Sequence, residues 1–139
     1  MSAGQPRQPR QPSTGNPPYR ALIVEDDPAI RRLVQKLLSR QHIETDLAPD
    51  GLIAIAKLKA SSYSVVVLDL MVPEVSGLEV IEFMKQAELR TPVAVVSAVS
   101  QQALTSLDLD IVKLVISKPF DVDEFTKAIL TLCAEGLEH

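Results

Sequence analysis

One cysteine, Cys133, is all that the 139 residues contain. An internal disulfide is therefore excluded, and a reducing compartment is the expected setting. Within its helical apolar pattern Cys133 reads as a packing side chain in preference to a catalytic thiol. Long hydrophobic runs are missing as well. The apolar stretches are short and broken by charges, well below the roughly 20 residues a membrane helix needs. No apolar core of a secretory signal is present, because the N-terminus is polar and proline-rich. Nor is there an excess of positive charge: the formal net charge is −4, which gives no support for nucleic-acid binding. The expectation from these absences is a cytoplasmic protein with neither nucleic acid nor membrane as partner.

What remains is enough for one domain with a single core, since 46% of the residues are hydrophobic. The first 18 residues are a different material. "QPRQPRQPSTGNPP" carries a triplet repeat and no large apolar side chain, so residues 1–18 are expected to form a disordered Pro/Gln/Arg-rich tail. At the other end "LEH", residues 137–139, resembles the stump of an expression tag and is set aside. The domain is therefore expected over 19–136.

Inside it the hydrophobic period switches repeatedly. "ALIV" (21–24) reads as a buried strand. Asp27 then offers an N-cap oxygen, Pro28 suits the first helical position, and Ile30, Leu33, Val34, Leu37 and Leu38 follow at helical spacing to about Arg40. "IETDLA" reads as a strand, "PDG" opens a second helix through Lys59, "SVVVLD" is a third strand and "SGLEVIEFMKQA" a third helix. "PVAVVS" is a fourth strand, followed by a weaker helix through Leu107. "IVKLVIS" is the fifth strand, and Val122 to Cys133 the last helix. Five strands alternating with five helices predict an α/β fold: a five-stranded parallel sheet with helices on both faces, (βα)5, doubly wound and flavodoxin-like. In the second helix Ala54 and Leu58 fit the inward face, which leaves Leu52, Ile53 and Ile55 only partly accommodated. Either they form an apolar patch, covered by a partner or used in self-association, or the helix is rotated to bury one more of them.

Ligands of such sheets bind beyond the carboxyl ends of the strands. There the first strand delivers Glu25, Asp26 and Asp27, the third Asp69, the fourth Ser97 and Ala98, and the fifth Ser117, Lys118 and Pro119. Singly, each reads as the polar residue that any strand must end in, and Asp27 as a helix cap. Together at one sheet edge they predict a site. Clustered carboxylates repel unless a cation is present, and the hard ion Mg²⁺ suits carboxylates, waters and phosphate oxygens. A carboxylate beside a metal, an ammonium and a hydroxyl is equipped as a nucleophile for phosphoryl transfer. Asp69, mounted at the end of the buried run "SVVVLD", is the candidate.

Four segments in order, "ALIVEDDPAIRRLV", "VVVLDLMVPEVSGLEVI", "TPVAVVSA" and "SKPF", resemble the receiver domain of bacterial two-component response regulators over about Arg20 to Ala134. The resemblance implies that Asp69 accepts a phosphoryl group from a phosphohistidine of a sensor histidine kinase or histidine phosphotransfer protein. It implies Mg²⁺ held by Asp26, Asp69 and the Met71 backbone carbonyl, with Glu25 acting through water. Ser97 and Lys118 would contact the phosphoryl oxygens, with small Ala98 leaving the site open, and the bond before Pro119 would be cis. The output would be protein contacts with a downstream effector, made by a monomer or weak dimer. No enzyme activity is implied beyond self-catalysed phosphorylation and slow autodephosphorylation.

The chain departs from the family pattern in three places. Serine stands at 97 where threonine is commoner. "DLDIVKLV" lacks the usual glycine–alanine pair before the fifth strand. Val115 occupies the position of the switch aromatic, so the switch is expected to rest on Ser97 more than on Val115. An aspartyl-nucleophile phosphohydrolase of the haloacid dehalogenase type would need a second aspartate where Met71 stands. A degenerate receiver acting as a phosphate-independent binding module is the other alternative.

Overall fold

The periods of the apolar pattern become the elements they predict. The computed structural model describes residues 19–98 and 107–137. These form β1 (Arg20–Val24), α1 (Pro28–Ser39), β2 (Glu44–Ala48), α2 (Gly51–Ala60), β3 (Val65–Leu68), α3 (Gly77–Gln86), β4 (Val93–Ser97), β5 (Val112–Ser117) and α4 (Val122–Leu137). The tail over 1–18, the body of the helix expected to end at Leu107, and residues 138 and 139 lie outside the described residues. Backbone helix in α4 continues past Cys133 to Leu137, because Ala134 and Glu135 are good helix formers although the apolar periodicity has ended. Among the described residues no helix is long and apolar enough to cross a membrane.

Helix starts are set locally. The Asp27 carboxylate accepts from the Ala29 and Ile30 N–H groups, and Asp50 accepts from Ile53 N–H. Ser76 and Glu79 form a reciprocal capping box at α3. Such caps are each worth about 1 kcal/mol.

The five strands pair in parallel in the order β2-β1-β3-β4-β5. Val24 is in register with both Ala48 and Leu68, and Leu68 with Val95. The strand order reverses between β1 and β3, so the crevice of a doubly wound sheet opens beyond Val24 and Leu68. Alternate side chains of one strand enter opposite layers. Leu22, Val24, Val66 and Leu68 pack with Ala54, Leu58, Val80 and Met84 of α2 and α3. Ala21, Ile23, Val65 and Val67 pack with Val34 and Leu38 of α1 and with Phe125 and Ile129 of α4.

Burial is unbroken in the central strands β3 and β4, and in β1 after the half-buried Arg20, whereas β5, at the sheet edge, alternates. Val115 is consequently 39% exposed. In α2, Ala54 and Leu58 are buried and Ile55 packs part-buried against the core, while Leu52 and Ile53 remain 58% and 38% exposed. Cys133 is buried in the α1–α4 layer, and burial pushes its thiol up to about 11. It is therefore a protonated packing group at neutral pH.

Candidate functional site

The backbone ladder carries on past the strand ends and brings the site together. Asp69 N–H donates to the Val24 carbonyl at 3.0 Å, Glu25 N–H to the Ala48 carbonyl at 3.0 Å, and Lys118 N–H to the Ser97 carbonyl at 3.2 Å. Each side chain is thus anchored by a peptide that is itself in the sheet.

Asp69 sits buried at the centre. Its Oδ1 accepts from the Ser97 hydroxyl at 2.8 Å and from the Met71 N–H at 3.0 Å. Its Oδ2 lies 2.9 Å from the Lys118 ammonium. The same Lys118 Nζ reaches Glu25 Oε1 at 2.7 Å, and Glu25 Oε2 accepts from the Asp27 N–H at 3.1 Å. One ammonium therefore bridges the two buried carboxylates, supplying in this structure the neutralising charge that their proximity demands.

The electrostatics follow from these contacts. Burial raises the Glu25 carboxyl above its ordinary value, and its bonds to Lys118 and Asp27 only partly offset this. Burial acts in the same sense on Asp69, but the Met71 N–H, Lys118 and the Ser97 hydroxyl outweigh it and hold that carboxyl below its ordinary value. Burial would depress Lys118, yet Glu25 and Asp69 together lift it. At neutral pH Asp69 is ionised and Lys118 protonated, which is the charge state a nucleophilic carboxylate with an attendant cation requires.

Asp26 is exposed at the mouth of the crevice, and carboxylate oxygens of Glu25, Asp26 and Asp69 lie within 4.8 Å of one another. Such an all-oxygen donor set fits a hard divalent cation. The Met71 side chain is exposed and its peptide is drawn to Asp69 through its N–H. Ala98 is exposed immediately after β4. The Lys118–Pro119 peptide is cis. Val115 lies on β5, in register with Val95 of β4.

The structure adds two contributors that the sequence reading passed over. The Arg31 guanidinium, from α1, donates to the backbone carbonyls of Glu25 (2.9 Å) and Asp26 (3.3 Å). Gly51 N–H donates to the Pro73 carbonyl, and a Cβ at position 51 would fall 1.7 Å from the Val75 carbonyl oxygen. Only glycine lets the start of α2 lie this close to the loop between β3 and α3. The signals in sequence were a cation one and a half turns after an acidic run, and a glycine at a helix start.

This arrangement is that of a receiver. The chain belongs to the response regulator receiver domain family, whose model matches residues 21–130. It is 37% identical over 112 residues to the transcriptional regulatory protein DltR of Streptococcus agalactiae, covering 79% of this chain and 50% of DltR. To the response regulator ArlR of Staphylococcus epidermidis it is 30% identical over 110 residues, 78% of this chain and 49% of that protein. The chain thus spans about half the length of these curated relatives. Among solved structures it resembles the response regulator TrrA of Thermotoga maritima, a complex with Mg²⁺ and beryllium fluoride, with TM-score 0.74, 28% identity and coverage of 82% and 98% of the two chains. The receiver domain of the Francisella response regulator 1452 matches with TM-score 0.79 and 25% identity over 86% and 98% of the two chains.

Proposed function

We propose that this receiver is a phosphoaccepting switch in which Asp69 takes a phosphoryl group from a phosphohistidine and relays its state through protein contacts. The donor is a sensor histidine kinase or a histidine phosphotransfer protein, and the receiving partner is a downstream effector protein. The observation that carries this reading is the state of Asp69: a buried, ionised carboxylate at a strand end, with an ammonium and a hydroxyl already on its oxygens.

In the reaction an Asp69 oxygen attacks phosphorus, the bond from phosphorus to the imidazole nitrogen breaks, and its electron pair leaves with the imidazole. Lys118 and the Ser97 hydroxyl, now paired with Asp69, pass to the oxygens of the arriving group and hold its charge. Glu25 keeps its grip on Lys118 through this exchange and so aims the ammonium. Asp26 and Asp69, with the Met71 carbonyl, would hold Mg²⁺, and Glu25 would act on it through water. When bound, the ion neutralises charge on the phosphoryl oxygens. A small side chain at Ala98 leaves the approach open.

Incubation with acetyl phosphate and Mg²⁺ followed by intact-mass measurement tests the proposal. A single phosphoryl adduct that does not form when Mg²⁺ is chelated beforehand supports it. A chain that stays unmodified while still binding its effector would instead be a phosphate-independent binding module.

A further inference from the structure

Asp26 poses a positioning problem. Its side chain is exposed and lies one residue past the last sheet bond of this strand end, which the Glu25 N–H makes to the Ala48 carbonyl. An exposed carboxylate loses conformational entropy whenever it is fixed on an ion, and that loss weakens binding. The structure supplies a restraint from outside the loop. Arg31 Nη1 donates to the Glu25 carbonyl at 2.9 Å and to the Asp26 carbonyl at 3.3 Å. These two carbonyls belong to the peptides on either side of the Asp26 Cα, so one guanidinium pins both planes that determine where the Asp26 Cβ points. Arg31 is itself held by α1, whose start is fixed by the Asp27 cap.

We infer that Arg31 is a positioning residue for divalent-cation binding, acting on Asp26 by clamping the carbonyls that flank it. The inference rests on the reading of Asp26 as a metal ligand. It carries a sign that separates it from plain electrostatics. A guanidinium beside a cation site repels the ion, so loss of its charge alone tightens Mg²⁺ binding. Loss of the clamp weakens it.

The test is calorimetric titration of the whole chain with Mg²⁺, with thermal melting of each variant as a fold control. Arg31→Met is expected to raise the Mg²⁺ dissociation constant about tenfold, at the lower end of what residues supporting metal ligands contribute. Arg31→Lys, a milder change that keeps the charge, is expected to raise it about threefold, and serves if Arg31→Met does not fold. In an Asp26→Asn background Arg31→Met should have no further effect, because its target is gone. Arg31→Met binding Mg²⁺ as tightly as the wild type, or more tightly, overturns the inference, and so does an equal loss in the Asp26→Asn background. A wild-type chain that does not bind Mg²⁺ overturns the metal-site reading and the inference with it.

Discussion

The Ser97 hydroxyl donates to Asp69 Oδ1 at 2.8 Å, joining the end of β4 to the end of β3 in the buried floor of the crevice. That oxygen also receives the Met71 N–H, so the carboxylate is oriented before any phosphoryl donor arrives. In the proposed reaction the hydroxyl passes to a phosphoryl oxygen. A hydrogen bond to charge developing in the transition state, worth about 1.5 kcal/mol or more, amounts to roughly tenfold in a rate. Ser97→Ala is expected to slow phosphorylation by acetyl phosphate about tenfold, and Ser97→Thr to keep the rate. The rate of adduct formation by intact mass checks both; an unchanged rate in Ser97→Ala would show that the hydroxyl acts only after transfer.

Glu25 presents the opposite balance to Asp69. Burial raises its carboxyl above the ordinary 4.5, so the folded state favours the protonated form. The stability linked to it is present below pH about 4.5 and is lost as the pH rises through the folded value. Ionised Glu25 therefore costs stability at neutral pH. In the metal-free protein Glu25→Gln should melt above the wild type at pH 7, with the gap closing as the pH falls through the folded value towards 4.5. The same variant should retain most of the Mg²⁺ affinity, whereas Asp26→Asn should bind the ion far more weakly, though still measurably. Paired melting curves and titrations check this; a Glu25→Gln protein less stable at pH 7 would mean that the Lys118 bond outweighs burial.

Leu52 and Ile53 open α2 with their side chains outward. Since neither is buried, the double change Leu52→Glu, Ile53→Glu should alter stability by no more than roughly 0.5 kcal/mol per site. Sedimentation at high concentration should show any weak dimer of the wild type dissociated in the double variant. A loss of several kcal/mol would show that these side chains pack in a way their exposure does not reveal.

Most of the fold, and the residues of the crevice, are legible in the sequence because both follow from local pattern. The valine run of β3 announces a strand, and a charge at its end can only be at the sheet's edge. What is not legible depends on distances between segments. Arg31 reads as one more charged residue on an amphipathic helix until the turn of α1 brings it over the acidic loop. Gly51 reads as a helix opener until the β3–α3 loop is found against it. Of the three side chains expected to be only partly accommodated, Ile55 packs part-buried against the core while Leu52 and Ile53 stay exposed, a split that depends on how α2 seats against its neighbours. The exposure of Val115 follows from the edge position of β5, which strand periodicity alone does not reveal.

Val115 bears on how the signal leaves the site. It is β-branched, stiff at χ1, and sweeps far less volume than an aromatic ring. A switch needs two states that differ in their contacts with the ligand or its surroundings, and valine supplies little of that difference. Comparing NMR spectra with Mg²⁺ alone and with Mg²⁺ plus beryllofluoride, the expected shifts are large at Asp69, Ser97 and Lys118 and small at Val115 and along α4. Large shifts running through Val115 into α4 would show that this strand relays the change after all.

The central claim is that Asp69 is the nucleophile, and chemical trapping tests it most directly. An aspartyl phosphate is an acyl phosphate, which borohydride reduces to the alcohol and so marks the residue permanently. After treatment with acetyl phosphate and Mg²⁺, reduction with tritiated borohydride and peptide mapping should place the label at Asp69, and Asp69→Asn should give none. Label at Asp26, Asp27 or any other residue, or undiminished label in Asp69→Asn, would contradict the account.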